Sequence, residues 1–231
     1  MKRTVLAFLA LTLLSAPASG SSYFLPQLAI GSSGDLQIRT LLTISTPTTS
    51  PVNATIILGT CRDEGSPWVV TWEAPGRPAL ATTDSYLSFA LLPGETVTPL
   101  AKSSGPLTTG WIMGRSSCPV VMTLRYSVAR VSGGVVDPQW EVGVLPSAAL
   151  NEHFVFVAQG ASNWGGCTTS TALAIGNTSD QTATLTLKLH AADFGNLLGT
   201  RTMTIPGRGH VARFVPEIFT DVVFSGSFQG M

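Results

Sequence analysis

Between Thr182 and Leu189 the chain alternates without a break. Ala183, Leu185, Leu187 and Leu189 fall on one side of an extended backbone, and Thr182, Thr184, Thr186 and Lys188 fall on the other. A side-chain period of two cannot bury one face of a helix, whose faces repeat about every 3.6 residues, so this stretch is restricted to a half-buried antiparallel strand with β-branched Thr on the wet side. Turn chemistry brackets it. Residues 177–180 (Asn-Thr-Ser-Asp) can bond their own backbone, and residues 205–209 (Ile-Pro-Gly-Arg-Gly) separate a strand at 202–205 from another at 210–215. The one helical candidate in this half is a single turn at 216–219 that starts at Pro216.

The same order of parts occurs earlier. Residues 40–60 form a strand, a Thr/Ser/Pro turn and a second strand, and they overlay on residues 171–190 with Ile44 on Ile175 and Ala54 on Ala183. Further on, Leu92-Pro93-Gly94 falls on Ile205-Pro206-Gly207, and Val97 and Leu100 fall on Val211 and Phe214. Phe24 precedes the first stretch much as Phe154 precedes the second, and the spacing drifts only in turns, where chains tolerate length changes. An internal duplication is expected. The competing reading is two adjacent all-β units that look alike because strands share patterns.

The remaining strands are expected at 23–30, 36–45, 52–60, 68–72, 86–92, 95–101, 111–114, 120–131 and 135–144, with a Pro-containing loop over 73–83 and a linker at 146–152. Residues 1–18 have the parts of a secretory signal peptide. Lys2 and Arg3 form the positive end, 5–14 the apolar run, and Ala16-Pro17-Ala18 the small-residue cleavage site. That run is too short to span a bilayer as a stable helix. No other segment approaches membrane length, so an exported protein, in the periplasm, at the cell surface or secreted, without a membrane span after processing, is expected.

Charge narrows the partners. Thirteen basic and 13 acidic residues leave no net field to attract nucleic acid or an anionic membrane, while 44% hydrophobic content supplies real cores. No His/Cys/Asp/Glu cluster has metal-ligand spacing, and the three His residues (His153, His190, His210) lie far apart. No metal or cofactor is therefore expected. Gly207-Arg-Gly209-His-Val-Ala212 matches a dinucleotide fingerprint on paper, but that chemistry needs a helix under the pyrophosphate and here a strand follows. Asp193-Phe-Gly195 lacks every other kinase element, and 226–230 has Phe where a nucleophile elbow needs Ser. The protein is expected not to be an enzyme, although a hydrolase assembled from distant residues is a third reading.

Trp68 and Trp72, four apart on a strand, point with Val70 to one face. Burial in a core is the preferred reading. The alternative is an exposed ligand-binding pair that stacks on sugar rings, making the chain a carbohydrate-binding or accessory module. Of the three cysteines, Cys61 and Cys118 fall in the same half, and export permits a disulfide between them, with Cys167 left over. Pairing of none is the other reading.

The second half resembles a class of uncharacterised bacterial secreted β-repeat domains. The segments that carry the likeness are 154–157, 163–170, 172–179, 184–187, 206–207 and 212–219, about a third of the chain, with a weaker echo in the first half. The first half departs from it at Thr46, which stands where the second has Asn177, and lacks the closing Arg-Phe-x-x-Glu-Ile-Phe. The resemblance implies an Ig-like sandwich, repeated in secreted or cell-surface proteins, with no activity that carries over.

These readings combine into two tandem Ig-like antiparallel β-sandwiches, at 23–146 and 151–231. The expected role is structural or adhesive and non-catalytic, with a cell-surface protein or a polysaccharide as partner. Aligning the halves puts Gly226 on Gly110, so the second stops where the first continues through 120–131 and 135–144. The second sandwich is thus expected to lack its last hairpin, either because the sequence is cut short or because a strand donated by a partner fills the gap.

Overall fold

A computed structural model describes residues 21–50, 53–77, 80, 82–144, 146–147, 158–159, 162–164, 167–169, 171–191, 196–224 and 229–230. The signal-peptide segment and most of the expected linker lie outside the described residues. The rest is nearly all β, in antiparallel sheets.

The first set of strands is β1 (Ser21–Ser33), β2 (Leu36–Ser45), β3 (Ala54–Arg62), β4 (Val70–Glu73), β5 (Thr82–Asp84), β6 (Tyr86–Leu91), β7 (Thr96–Val97), β8 (Leu100–Lys102), β9 (Thr108–Ser116), β10 (Val121–Ser132) and β11 (Val135–Val144). They join in one 11-stranded arrangement along the path β5-β4-β8-β2-β1-β9-β3-β6, with β10 and β7 also on β2 and β11 on β10. β1 makes this possible by serving two neighbours. It pairs with β9 from Ser21 to Ile30, and over Gly31–Ser33 it turns into a hairpin with β2. Its register with β9 slips between Leu25 and Leu28, and Pro26, which has no N–H to place in a ladder, sits inside that slip. The bend lets two layers of strands close over a shared core that includes Leu25, Leu28, Leu42, Ile56, Met122 and Leu124.

The second set is β12 (Ala158–Gln159), β13 (Ser162–Trp164), β14 (Cys167–Thr169), β15 (Ala172–Gly176), β16 (Ala183–His190), β17 (Leu197–Ile205), β18 (His210–Phe214), the single turn α1 (Val215–Ile218) and β19 (Gln229–Gly230). These pair as β12 with β19, β13 with β14, β15 with β18 and β16 with β17. Leu187, Leu189, Val215 and Phe219 form a separate small core, against which Leu173, Ile175 and Met203 pack. Residues 225–228, on which the expected open edge of the second half turns, lie outside the described residues.

The two sets share local pairings. Ile44 faces Val97 between β2 and β7, and Ile175 faces Val211 between β15 and β18. Ala54 faces Leu91 between β3 and β6, and Ala183 faces Ile205 between β16 and β17. A buried side chain latches the Pro-Gly turn in each. The Thr46 hydroxyl donates to the Leu92 carbonyl, and the Asn177 amide donates to the carbonyls of Ile205 and Pro206.

Two sequence expectations are corrected here. Trp68 and Trp72 are 3% and 1% exposed and belong to the large core with Val70, so neither can offer a stacking face to a sugar. The preferred reading, burial, holds and the alternative of an exposed ligand-binding pair fails, because β4 lies between β5 and β8 and the face it shares with Trp68 turns inward. Cys61 and Cys118 are both free thiols. Cys61 pairs with Trp111 toward the end of β3, whereas the chain near Cys118 bonds Thr55. Six residues of strand separate those points, roughly 20 Å at the rise of an extended chain, far beyond the span of a disulfide. Cys118 instead lies in the core, with its sulfur 3.6 Å from Ser50 Oγ. The Cys167 side chain lies outside what the structure describes.

Leu124 is fully buried, and truncating it leaves a void the surrounding strands cannot fill. Leu124→Ala should cost about 2–5 kcal/mol in urea unfolding, while Val135→Ala, at an exposed position, should fall within about 0.5 kcal/mol of wild type. In the same assay, Cys61→Ser should lose no more stability under non-reducing than under reducing conditions. A redox-dependent loss would restore the disulfide.

Candidate functional site

Adjacent residues of a strand point to opposite faces, and β9 uses both. Ile112 enters the large core, whereas Trp111 points away from it and is nevertheless 1% exposed. What covers Trp111 is the second strand set. A Cβ added at Gly176 of β15 would lie 3.3 Å from the indole, in direct contact with its ring. Phe24 of β1 flanks the indole at 6.2 Å between ring centroids. The indole N–H donates to the Arg208 carbonyl at 2.9 Å, which satisfies the one polar atom of a ring otherwise enclosed by apolar groups.

Arg208 is held in position to receive that bond. It is the sole non-glycine among the described residues with a left-handed backbone (φ 60°). Its N–H donates to Ser179 O at 2.8 Å, and its guanidinium Nε donates to Asp180 at 2.7 Å. Glycines surround it because the backbones come too close for a side chain. A Cβ on Gly65 would collide with the Gly207 carbonyl, and one on Gly207 would collide with the Asp180 carbonyl.

Beside this turn, Asp63 and His210 form the second half of the joint. His210 Nδ1–H donates to Asp63 Oδ1 at 2.8 Å, and the His210 backbone N–H donates to the Asp63 carbonyl at 2.8 Å. Thr109 completes the carboxylate by donating its hydroxyl to Oδ2 at 2.6 Å. Burial pushes the Asp63 carboxyl up, but the hydrogen bonds from His210 and Thr109 outweigh it and hold the group below its ordinary range. Cys61 borders the same place, and burial raises its thiol against the opposing pull of the Arg208 charge.

An Asp bonded to His Nδ1 is also the orienting half of a hydrolytic triad, in which the His turns Nε2 toward substrate and the Asp is enclosed. Here the burial is reversed. The His210 side chain is 0% exposed and that of Asp63 is 49% exposed. Nε2 is buried and has no hydrogen-bond partner among the described residues, so it faces neither a nucleophile there nor solvent. The arrangement suits a clamp, in which a polar pair fixes register between two surfaces.

None of these residues was singled out for function by sequence. By sequence Gly207–Gly209 reads as an ordinary turn, and neither Trp111 nor Asp63 carries a motif. Asp63 and His210 stand 147 residues apart, and no local pattern links them. The one usable signal was the glycine density around Arg208. Among the described residues no group of three His, Cys, Asp or Glu could hold a metal ion, and no helix is long and apolar enough to cross a membrane.

Trp111→Ala removes the enclosed ring and leaves the Arg208 carbonyl short of its donor, so it should cost about 3–5 kcal/mol. Trp111→Phe keeps most of the volume and should cost about 1 kcal/mol for the lost hydrogen bond. Asp63 gives the joint a pH signature. A carboxylate held below its unfolded value contributes stability above that value, about 3.9, and loses it as pH falls through the folded value. Acid unfolding curves should therefore show a loss below about pH 4 that Asp63→Asn removes. Equal acid sensitivity in both proteins would show that the pair adds nothing.

The chain matches no family model, no curated protein and no solved structure.

Proposed function

We propose that this chain is a non-catalytic β-scaffold acting outside the cytoplasm, with a structural or adhesive role built on two Ig-like strand sets. The observation that supports it best is the joint. Trp111, Thr109 and Asp63 on one side grip the turn from Gly207 to His210 on the other, so the buried polar chemistry at this place is used in fixing two surfaces together. Enzymes turn such groups toward a substrate. The matched pairings Ile44–Val97 and Ile175–Val211, each beside a latched Pro-Gly turn, favour reading the two sets as copies of one unit. The leader-like residues 1–18 and the likeness of the second half to secreted repeat domains favour export.

Expression with the native leader, followed by fractionation, tests location and role together. The processed chain should appear outside the cytoplasm. Surfaces coated with it should retain envelope polysaccharide or cells, and panels of chromogenic esters, peptides and glycosides should not turn over. Recovery of an unprocessed cytoplasmic chain would overturn the reading. So would turnover that disappears in His210→Asn, since it would make the joint a catalytic pair.

A further inference from the structure

We infer that the groove between β2, β4 and the loop after β8 is a binding site for an anionic saccharide, a sugar bearing a carboxylate or a sulfate. The groove encloses about 560 Å³, within the range of small-ligand sites, and opens to solvent. Arg39, Arg62 and Lys102 all line it, and no Asp or Glu does. In a chain whose 13 basic residues are balanced by 13 acidic ones, three cations around one groove form a local excess. A cleft lined by one sign of charge focuses that potential on whatever enters.

Two of the cations are available. Among the described residues Arg39 and Arg62 form no ion pair. Arg39 is steadied by donating Nη2–H to the Gln37 side-chain oxygen at 2.8 Å, which leaves its other donors for a ligand. Arginine presents several donors in a planar fork that matches a carboxylate or sulfate edge. Lys102 is partly neutralised by Glu73 at 2.5 Å, a residue that does not line the groove.

The rest of the lining favours a sugar over a bare anion. Thr71, Ser103, Ser104 and Thr108 supply hydroxyls, which can both donate to and accept from the hydroxyls of a saccharide. Of the apolar lining, Ile30 and Trp68 are buried beneath the wall, and Val69, 59% exposed, is the residue that can lie against the C–H face of a ring. Trp68 is too enclosed to stack openly, so it contributes only an edge and the recognition falls to the cations.

The walls are preformed. Ser32 N–H donates to Gly105 O at 2.9 Å, and Leu107 N–H donates to Ser32 O at 2.8 Å, which pins the loop to β1. Gly31 (φ +115°) lies so close to Pro106 that a Cβ would strike its carbonyl. On the opposite side Arg62 N–H donates to Ser66 O at 2.9 Å, fixing the turn that carries this cation. A rigid site loses little conformational freedom on binding. This inference does not depend on the scaffold reading, because a ligand site is compatible with any role of the joint.

Calorimetric titration of the full chain freed of its leader tests it, with oligogalacturonate as the carboxylated probe, a sulfated oligosaccharide as the second, and a neutral glucan oligomer of equal length as the control. At least one acidic probe should bind roughly tenfold or more tightly than the neutral one, and its affinity should fall as salt rises. Which acidic probe binds identifies the charged group. Arg39→Gln with Arg62→Gln should weaken binding roughly tenfold or more without shifting the melting temperature, since both side chains reach solvent. Glu73→Gln should tighten it about two- to threefold by freeing Lys102. Equal affinity for the neutral oligomer, unchanged affinity in the double variant, binding of neither acidic probe, or inorganic sulfate binding as tightly as the saccharide would each overturn the assignment.

Discussion

The pleat of β9 sets the terms for the rest of this molecule. A strand must send neighbouring side chains to opposite faces, and β9 carries large apolar residues on both, Ile112 and Trp111. Ile112 is covered by the strands of its own set. Trp111 needs a second layer, and the strand set that follows β11 supplies it through Gly176 and the Arg208 carbonyl. An indole left in water at that position would expose one of the largest apolar surfaces a side chain can offer. Hydrophobic burial thus brings the two sets together, and the hydrogen bonds decide how they meet.

Direction comes from polar groups because apolar contact has none. The Trp111 N–H can reach one carbonyl, and the Asp63 carboxylate has one oxygen on Thr109 and the other on His210. Each bond contributes only about 1 kcal/mol net, but leaving the enclosed Trp111 N–H unpaired costs more than making its bond gains. A shifted register would break several at once. Glycines at 65 and 176 are the corresponding steric condition, since a side chain at Gly65 would hold the surfaces apart and one at Gly176 would crowd the ring between them, while Gly207 lets its own turn close on Asp180.

The same economy appears in the turns and in the groove. Thr46 and Asn177 are buried polar residues that fasten a Pro-Gly turn back to the strand before it, one with a hydroxyl and the other with an amide able to reach several carbonyls at once. In the groove, the loop after β8 is held by backbone bonds to β1, so its hydroxyls and the nearby Arg39 and Arg62 are carried on a fixed frame. Trp68 sits beneath that frame as core and not as a platform.

The sequence by itself determined the class of structure and much of its strand map. Period-two alternation at 182–189, the Pro-Gly turns and the strand-forming stretches at 36–45 and 135–144 are local properties, and the strands β2, β11 and β16 follow them closely. The single helical turn at Pro216 was legible for the same reason, within a residue at each end. Other boundaries moved where neighbours intervened. Pro99 divides the expected strand at 95–101 into β7 and β8, and pairing with both β1 and β3 extends β9 well beyond 111–114. Alternation even named the wet face of β16, where Thr184, Thr186 and Lys188 are exposed and Leu187 and Leu189 are buried. Tertiary structure alone separated Cys61 from Cys118, and brought Asp63 to His210 and Arg39 to Arg62 around a common space. Alternation states that a strand has two faces, but what covers each face depends on partners distant in the chain, and no local pattern encodes that distance.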